Sequence, residues 1–294
     1  MVPRFVNYDH RYHAGNPADV LKHAALALVI LELIKKDEPI LYVDTHAGIG
    51  TYRLDEPTGE WKQGIGRLLS RSARRRLPEL GPYLDLTREE EGDAIEYPGS
   101  PAIAWSLFRP QDRLRFFEAH PRAAQELARQ IPQEKQAQVV VEAADGYAAL
   151  LRQKPKDERL VTLIDPPFEK DDEWDRIDEA LLKVAGRSQG AMAMLWYPLK
   201  AGPPHEGRAD ALRARLERAK ARGLSIELRP RGGLLMPRTD APRVRAGLSG
   251  TGLLFVEAPS RAIARLTSSL PELARSLARP TDGFGFEITI QGWG

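Results

Sequence analysis

Apolar residues in this chain fall into short unbroken runs separated by longer amphipathic stretches. Residues 39–44, Pro-Ile-Leu-Tyr-Val-Asp, form the first such run, and others recur at 114–118, 138–142, 160–165, 190–197, 225–228 and 252–257. Runs of this length, bounded by turn residues and rich in β-formers, read as strands buried on both faces. Between most of them lie patterns with helical spacing, at 101–108, 121–130, 146–153, 174–185 and 208–221. A further helix is expected to begin at Asn16-Pro17-Ala18-Asp19, with Asn16 as cap, Pro17 in the first turn and Asp19 against the dipole, and to run to about Lys36 before Asp37 and Pro39. Strands alternating with helices predict an α/β fold, a mostly parallel seven-stranded sheet covered on both faces. In such sheets ligands bind beyond the carboxyl ends of the strands, at the topological switch point.

One interval breaks the rhythm. Residues 52–97 are longer than a single crossover helix needs and scatter Trp61, Leu68, Leu69, Leu77 and Leu84 among many charges. They are expected to form a small helical insertion in one α/β domain made of residues 1–51 and 98–294. The stretch after about residue 259 is amphipathic and then irregular, with no role assigned to it.

Composition narrows the chemistry. The chain has 42% hydrophobic residues, enough for a buried core, and no cysteine, which excludes disulfides, thiolate catalysis and Cys-ligated zinc. No signal peptide or membrane span is evident, so a cytoplasmic protein without membrane partners is expected, and a monomer is weakly favoured. The net charge of +2 does not by itself require a polyanionic partner. Arginines nevertheless cluster at Arg71, Arg74, Arg75 and Arg76, across 208–222, and at Arg238, Arg243 and Arg245. Each cluster is either a solvated face or part of a phosphate-tracking surface.

The strand ends carry the candidate chemistry. Asp44-Thr-His-Ala-Gly48-Ile-Gly50 follows the first strand, and its glycines allow a tight turn and close approach to a ligand. Glu118 ends the second strand, where a carboxylate suits two ribose hydroxyls, and Asp145-Gly146 follows the third, where one could accept from an adenine amino group. Any one of these acids is as easily a surface charge or a cap; their order at successive strand ends fits an adenosine cofactor. Asp165-Pro166-Pro167-Phe168 ends the fourth strand. The lone pair of an aromatic amine is delocalised into its ring. A carboxylate and a backbone carbonyl that accept its two N–H groups localise the pair toward a sulfonium methyl. Pro166 and Pro167 stiffen the loop without adding competing N–H groups, and Phe168 is expected to offer a stacking face. Four of the six histidines, His10, His13, His23 and His46, lie early in the chain; a zinc site among them is conceivable, but without cysteine and without a convincing set of four ligands no metal is expected. Lys22 and His23 sit where they could meet the carboxylate end of the cofactor.

These residues resemble a known family, the bacterial large-subunit ribosomal RNA adenine-N6 methyltransferases of the RlmJ type. The likeness rests on Tyr8-Asp-His-Arg-Tyr-His-Ala-Gly-Asn-Pro-Ala-Asp-Val-Leu-Lys-His23, Tyr42-Val-Asp-Thr-His-Ala-Gly48, Tyr97-Pro-Gly-Ser-Pro101, Glu118-Ala-His-Pro121, Ala144-Asp-Gly146, Asp165-Pro-Pro167 and Leu195-Trp-Tyr-Pro198. It implies a Rossmann-like class I methyltransferase with a helical insertion, S-adenosyl-L-methionine as methyl donor, and cofactor contacts at Lys22, His23, His46, Ser100, Glu118, Asp145 and Gly146. It further implies Asp165 as the catalytic acceptor, Tyr8 and His10 on the substrate side, and 23S ribosomal RNA as substrate. Phe168 departs from the tyrosine usual in the family, which keeps a ring but loses a hydroxyl. A DNA adenine methyltransferase and a non-catalytic RNA-binding module on the same fold remain as alternatives. A glutamine methyltransferase would carry Asn where this chain has Asp165.

Overall fold

The computed structural model describes residues 12–54, 59–89, 94–187, 190–200, 202, 204–231, 235, 248–278 and 285–294. It begins with helix α1 (Pro17–Leu33), whose cap is the one expected: the Asn16 side chain accepts from the Asp19 amide at 2.9 Å. The helix ends at Leu33, earlier than residue 36, and just beyond it the Arg109 guanidinium takes the carbonyls of Ile34 and Glu38, at 3.2 and 2.8 Å. Strand β1 (Ile40–Asp44) follows, then β2 (Thr51–Leu54), the short helices α2 (Arg71–Arg76) and α3 (Gly81–Leu84), β3 (Arg88–Glu89) and β4 (Ile95–Pro98). Next come α4 (Ser100–Leu107), β5 (Arg113–Phe117), α5 (Pro121–Gln130), β6 (Val139–Glu142), α6 (Gly146–Arg152), β7 (Arg159–Ile164), α7 (Glu173–Ala185), β8 (Met192–Leu199) and α8 (Arg208–Arg218). The chain closes with β9 (Gly223–Pro230), β10 (Gly250–Val256), α9 (Ser260–Leu277) and β11 (Phe286–Trp293).

The main sheet has the order β11-β9-β10-β8-β7-β1-β5-β6. It is parallel from β8 to β6, while β10 runs antiparallel to β8 and β9. It contains eight strands rather than seven. The extra one is β11, which pairs antiparallel with β9 over Phe286–Pro230 to Trp293–Gly223. Its sequence alternates weakly and leaves Ile290 exposed, as an edge strand covered on one face does. The tail that the sequence left without a role thus supplies one helix and one edge of the sheet.

Side-chain alternation splits the core into two layers. Tyr42, Val161, Leu163 and Phe255 pack on one face with α1, α4 and α9, while Leu41, Val43, Leu160 and Ile164 pack on the other with α6, α7 and α8. Helix α1 is buried on nearly every side, from Pro17 to Ile30. It can be so because the segment between β1 and α4 covers its outer face. That segment carries, beside its short helices, a three-stranded antiparallel sheet of order β2-β4-β3. It is tied to α1 through Ile65 N–H to Gly15 C=O at 2.9 Å and to α9 through Arg76 and Glu272 at 2.6 Å.

Candidate active site

The chain runs from β1 through β5 and β6 on one side, then returns to β7 on the other side of β1. The carboxyl ends of β1 and β7 therefore mark the switch point, and the loop 44–50 lies between them. Its contacts reach every expected strand end. Thr45 donates to the Leu163 carbonyl on β7 at 3.1 Å, and Ala47 to Phe117 on β5 at 2.9 Å. The Gly48 amide donates to Glu118 Oε2 at 2.9 Å, and the His120 amide to Oε1 at 2.8 Å. Two backbone donors thus fix the half-buried Glu118 carboxylate against the glycine turn, with lone pairs left over. Gly48 and Gly50 take positive φ, 63° and 95°, where a side chain would strain the backbone.

Asp44 is wholly buried at the end of β1. It accepts from the His46 amide at 3.2 Å and from the Ser100 hydroxyl at the start of α4. Burial pushes its carboxyl up to about 7; Ser100 pulls it down and nearby Asp165 raises it. The His46 ring meets Thr45 Oγ1 at 2.8 Å and lies edge-on to Tyr147, 5.0 Å between centroids. Burial lowers this imidazole to about 3, so it is neutral at ordinary pH. Asp145 caps α6 by accepting from Ala148 at 3.0 Å and pairs with Arg176 at 2.5 Å. Gly146 is demanded by packing, since a Cβ there would stand 1.9 Å from the Thr45 carbonyl oxygen.

The decisive juxtaposition joins residues 143 positions apart. Lys22 Nζ, buried on α1, donates to Asp165 Oδ2 at 2.5 Å and to Asp19 Oδ1 at 2.8 Å. Burial opposes its charge, but the two carboxylates outweigh that and raise its pKa above the ordinary value. Asp19, read from sequence as a dipole complement, is also held by the Gly15 amide at 3.0 Å and so anchors Lys22. The other oxygen of Asp165, Oδ1, has no hydrogen-bond partner among the described residues. His23 on the same helix has its Nδ1 2.6 Å from the Tyr97 hydroxyl, which meets Tyr83 at 3.1 Å. That contact joins α1 to the inserted segment.

Pro166 is buried, Pro167 exposed, and Phe168 takes a positive φ of 51°. That turn folds its ring inward among Trp174, Trp196 and His205, at centroid distances of 5.2, 5.9 and 5.8 Å. The stacking face expected of Phe168 is therefore closed over, with 8% of the residue exposed. Trp196, which the sequence reading did not single out, has Lys22 Nζ 6.0 Å from its ring centre and donates to Thr251 at 2.8 Å. Its signal was present in Leu195-Trp-Tyr-Pro198, on the strand beside Asp165. Tyr8 and His10 lie outside the described residues, as do Arg238, Arg243 and Arg245.

The arginine clusters also change standing. On and after α8, Arg208, Arg213, Arg215 and Arg222 pair with Asp175, Asp210, Asp178 and Glu257. Arg208 and Arg215 thereby tie α8 to α7, Arg213 pairs within α8 and Arg222 joins the segments flanking β9 and β10, so that run is mainly structural. In α2, Arg74 and Arg76 are paired with Asp85 and Glu272.

Around the 44–50 loop the donor set suits an adenosine-bearing cation with a carboxylate: acceptors at Glu118 and Asp145, glycines between them, and the Lys22 ammonium toward Asp165. The chain is 33% identical over 285 residues to the Escherichia coli protein named "Ribosomal RNA large subunit methyltransferase J", covering 92% of this chain and 94% of that one. It is 33% identical over 281 residues to the protein of the same name from Haemophilus influenzae, again covering 92% and 94%. A crystal structure of a Legionella pneumophila protein superposes with a TM-score of 0.79 at 27% identity, covering 96% of this chain and 99% of that one. The family model described as "Ribosomal RNA large subunit methyltransferase D, RlmJ" matches residues 37–289, and the chain belongs to that family of methyltransferases.

Proposed function

We propose that this protein transfers the methyl group of S-adenosylmethionine to the exocyclic N6 of an adenine in large-subunit, 23S, ribosomal RNA, in the cytoplasm. Membership of the family and the names of its relatives support the reaction class and the polymer. The observation that carries an exocyclic amine as the acceptor is the state of Asp165, with one oxygen clamped by Lys22 and the other open to accept an N–H, while the choice of adenine rests on the family likeness. A positioned acceptor of this kind localises the amine lone pair, and its orientation costs nothing at the moment of reaction.

The cofactor, when bound, supplies an electrophilic methyl. On this reading Glu118 accepts the ribose hydroxyls, and Asp145 takes the adenine amino group while Arg176 keeps its carboxylate in place. Lys22 has a third ammonium proton beyond those given to Asp19 and Asp165, available to a carboxylate. His46, Ser100 and Gly146 hold the loop that these groups surround, and His23 fixes α1 behind it. Pro166 and Pro167 stiffen the acceptor loop, and the target base enters from a splayed-out position. Stacking by Phe168 requires its ring to leave the Trp174–Trp196–His205 cluster. Tyr8 and His10 are assigned to the substrate side by the family likeness.

The test is Asp165→Ala assayed with labelled methyl donor on protein-free large-subunit rRNA and on duplex DNA. Transfer to rRNA is expected to fall at least about a hundredfold, with cofactor affinity by calorimetry retained. Near-normal transfer by the variant, or wild-type transfer to DNA alone, would defeat the proposal.

A further inference from the structure

A cleft of about 890 Å³ opens at the amino ends of β7 and β8, on the edge of the sheet opposite Asp165. With six residues in β7 and a rise of about 3.3 Å per residue, the cleft and Asp165 lie on the order of 20 Å apart. Its walls come from the ends of α1 and β10, the starts of β7, β9 and α9, and the end of β11. Strands β11, β9, β10, β8 and β7 are successive neighbours, so the cleft spans four interstrand spacings, on the order of 20 Å.

Its charge is one-sided. Lys36, Arg159, Arg187, Arg222 and Arg261 line it against Glu32 and Glu257. Both acids are already neutralised, Glu32 by Lys35 at 2.5 Å and Glu257 by Arg222 at 2.9 Å. Lys36, Arg159, Arg187 and Arg261 form no ion pair among the described residues. Burial alone holds the Arg187 guanidinium below its ordinary pKa, with no carboxylate to offset it. In the same walls Arg159 Nε, Arg187 Nε and Trp293 Nε1 are buried without an acceptor. The first turn of α9 adds to this. It is the start of an 18-residue helix with no side-chain cap, no acid, and Arg261 where the dipole favours a negative charge.

We propose that this cleft binds the sugar–phosphate backbone of the RNA substrate at a stretch remote from the target adenine. The proposal rests on the RNA-methylating function above. Lys36, Arg159, Arg187 and Arg261, contributed by four separate segments, carry more positive charge than one phosphate group needs and suit a run of phosphodiesters.

The double variant Lys36→Ala/Arg261→Ala removes two exposed cations that belong neither to the cofactor site nor to the Asp165 site. Its affinity for protein-free large-subunit rRNA is expected to fall about tenfold, and the log–log salt slope to lose about 1.4, two contacts at about 0.7 each. KM for rRNA rises while kcat at saturating RNA stays unchanged. A short hairpin carrying only the target adenine is bound equally well by both proteins. Unchanged rRNA affinity and salt slope overturn the proposal. So does a result in which inorganic phosphate stabilises wild type over the variant while rRNA binding is unaffected, which makes the cleft a small-anion site. A wild type that binds rRNA with this salt dependence yet transfers no methyl defeats the proposed activity and leaves the cleft assignment standing.

Discussion

Replacing Asp44 by Asn tests how the end of β1 is held. The carboxyl is fully buried, and burial lifts it from 3.8 to about 7, with Ser100 and the His46 amide pulling back and Asp165 adding to the rise. The unfolded chain releases this proton near 3.8, whereas the folded protein keeps it until about 7. Between those values the folded state binds more protons, so this group's contribution to stability is full below the lower value and is lost as pH rises through the upper one. A shift of about three units corresponds to about 4 kcal/mol above neutrality, of which more than half develops between about pH 5 and about pH 8. Asn keeps an oxygen for the His46 amide and cannot ionise. Urea denaturation of both proteins at the two pH values measures the difference directly. The variant should gain about 2 to 3 kcal/mol on wild type as pH rises. His46 contributes with the opposite sign: its imidazole is lowered to about 3, so its share of stability is lost as pH falls below the ordinary histidine value. That share is common to both proteins and cancels in the comparison. A stability difference constant with pH would show that Asp44 ionises normally and refute the reasoning.

Two further substitutions probe the same region. Gly146→Ala puts a methyl 1.9 Å from a Thr45 carbonyl that cannot retreat, because the Thr45 amide is bonded to Leu163. A loss of about 3 kcal/mol or more is expected, with weaker cofactor binding, and a thermal melt unchanged from wild type would contradict the packing argument. Phe168→Ala empties the space between Trp174, Trp196 and His205 and should cost about 3 kcal/mol in urea denaturation. If stability is unchanged while methyl transfer falls, the ring serves substrate and not packing.

The residues that define strand ends were legible because local pattern sets them. Asn16 caps α1 as its sequence context requires, and the runs at 39–44, 114–118 and 160–165 fall on β1, β5 and β7 within a residue or two. A parallel sheet then brings every carboxyl end to one side, so Asp44, Glu118, Asp145 and Asp165 had to converge once the alternation of strand and helix was read. The eighth strand was not legible. β11 is an edge strand whose partner, β9, lies some sixty positions earlier, and one covered face leaves only a weak alternation.

Side-chain pairings depend on the same distance. The sequence could place Lys22 and Asp165 near the cofactor site but not against each other across 143 positions, with Asp19 as the anchor. Nor could it show that arginines on and after α8 answer acids on other elements, or that a positive φ at Phe168 turns its ring into a cluster of aromatics. Local pattern and residue chemistry determined the fold class, the order of strand ends and the kind of ligand they suit. Which oxygen of Asp165 is occupied, which arginines are spent within the molecule, and where an unpaired basic cleft is left were decided only by tertiary packing, because each depends on contacts between segments that no local period encodes.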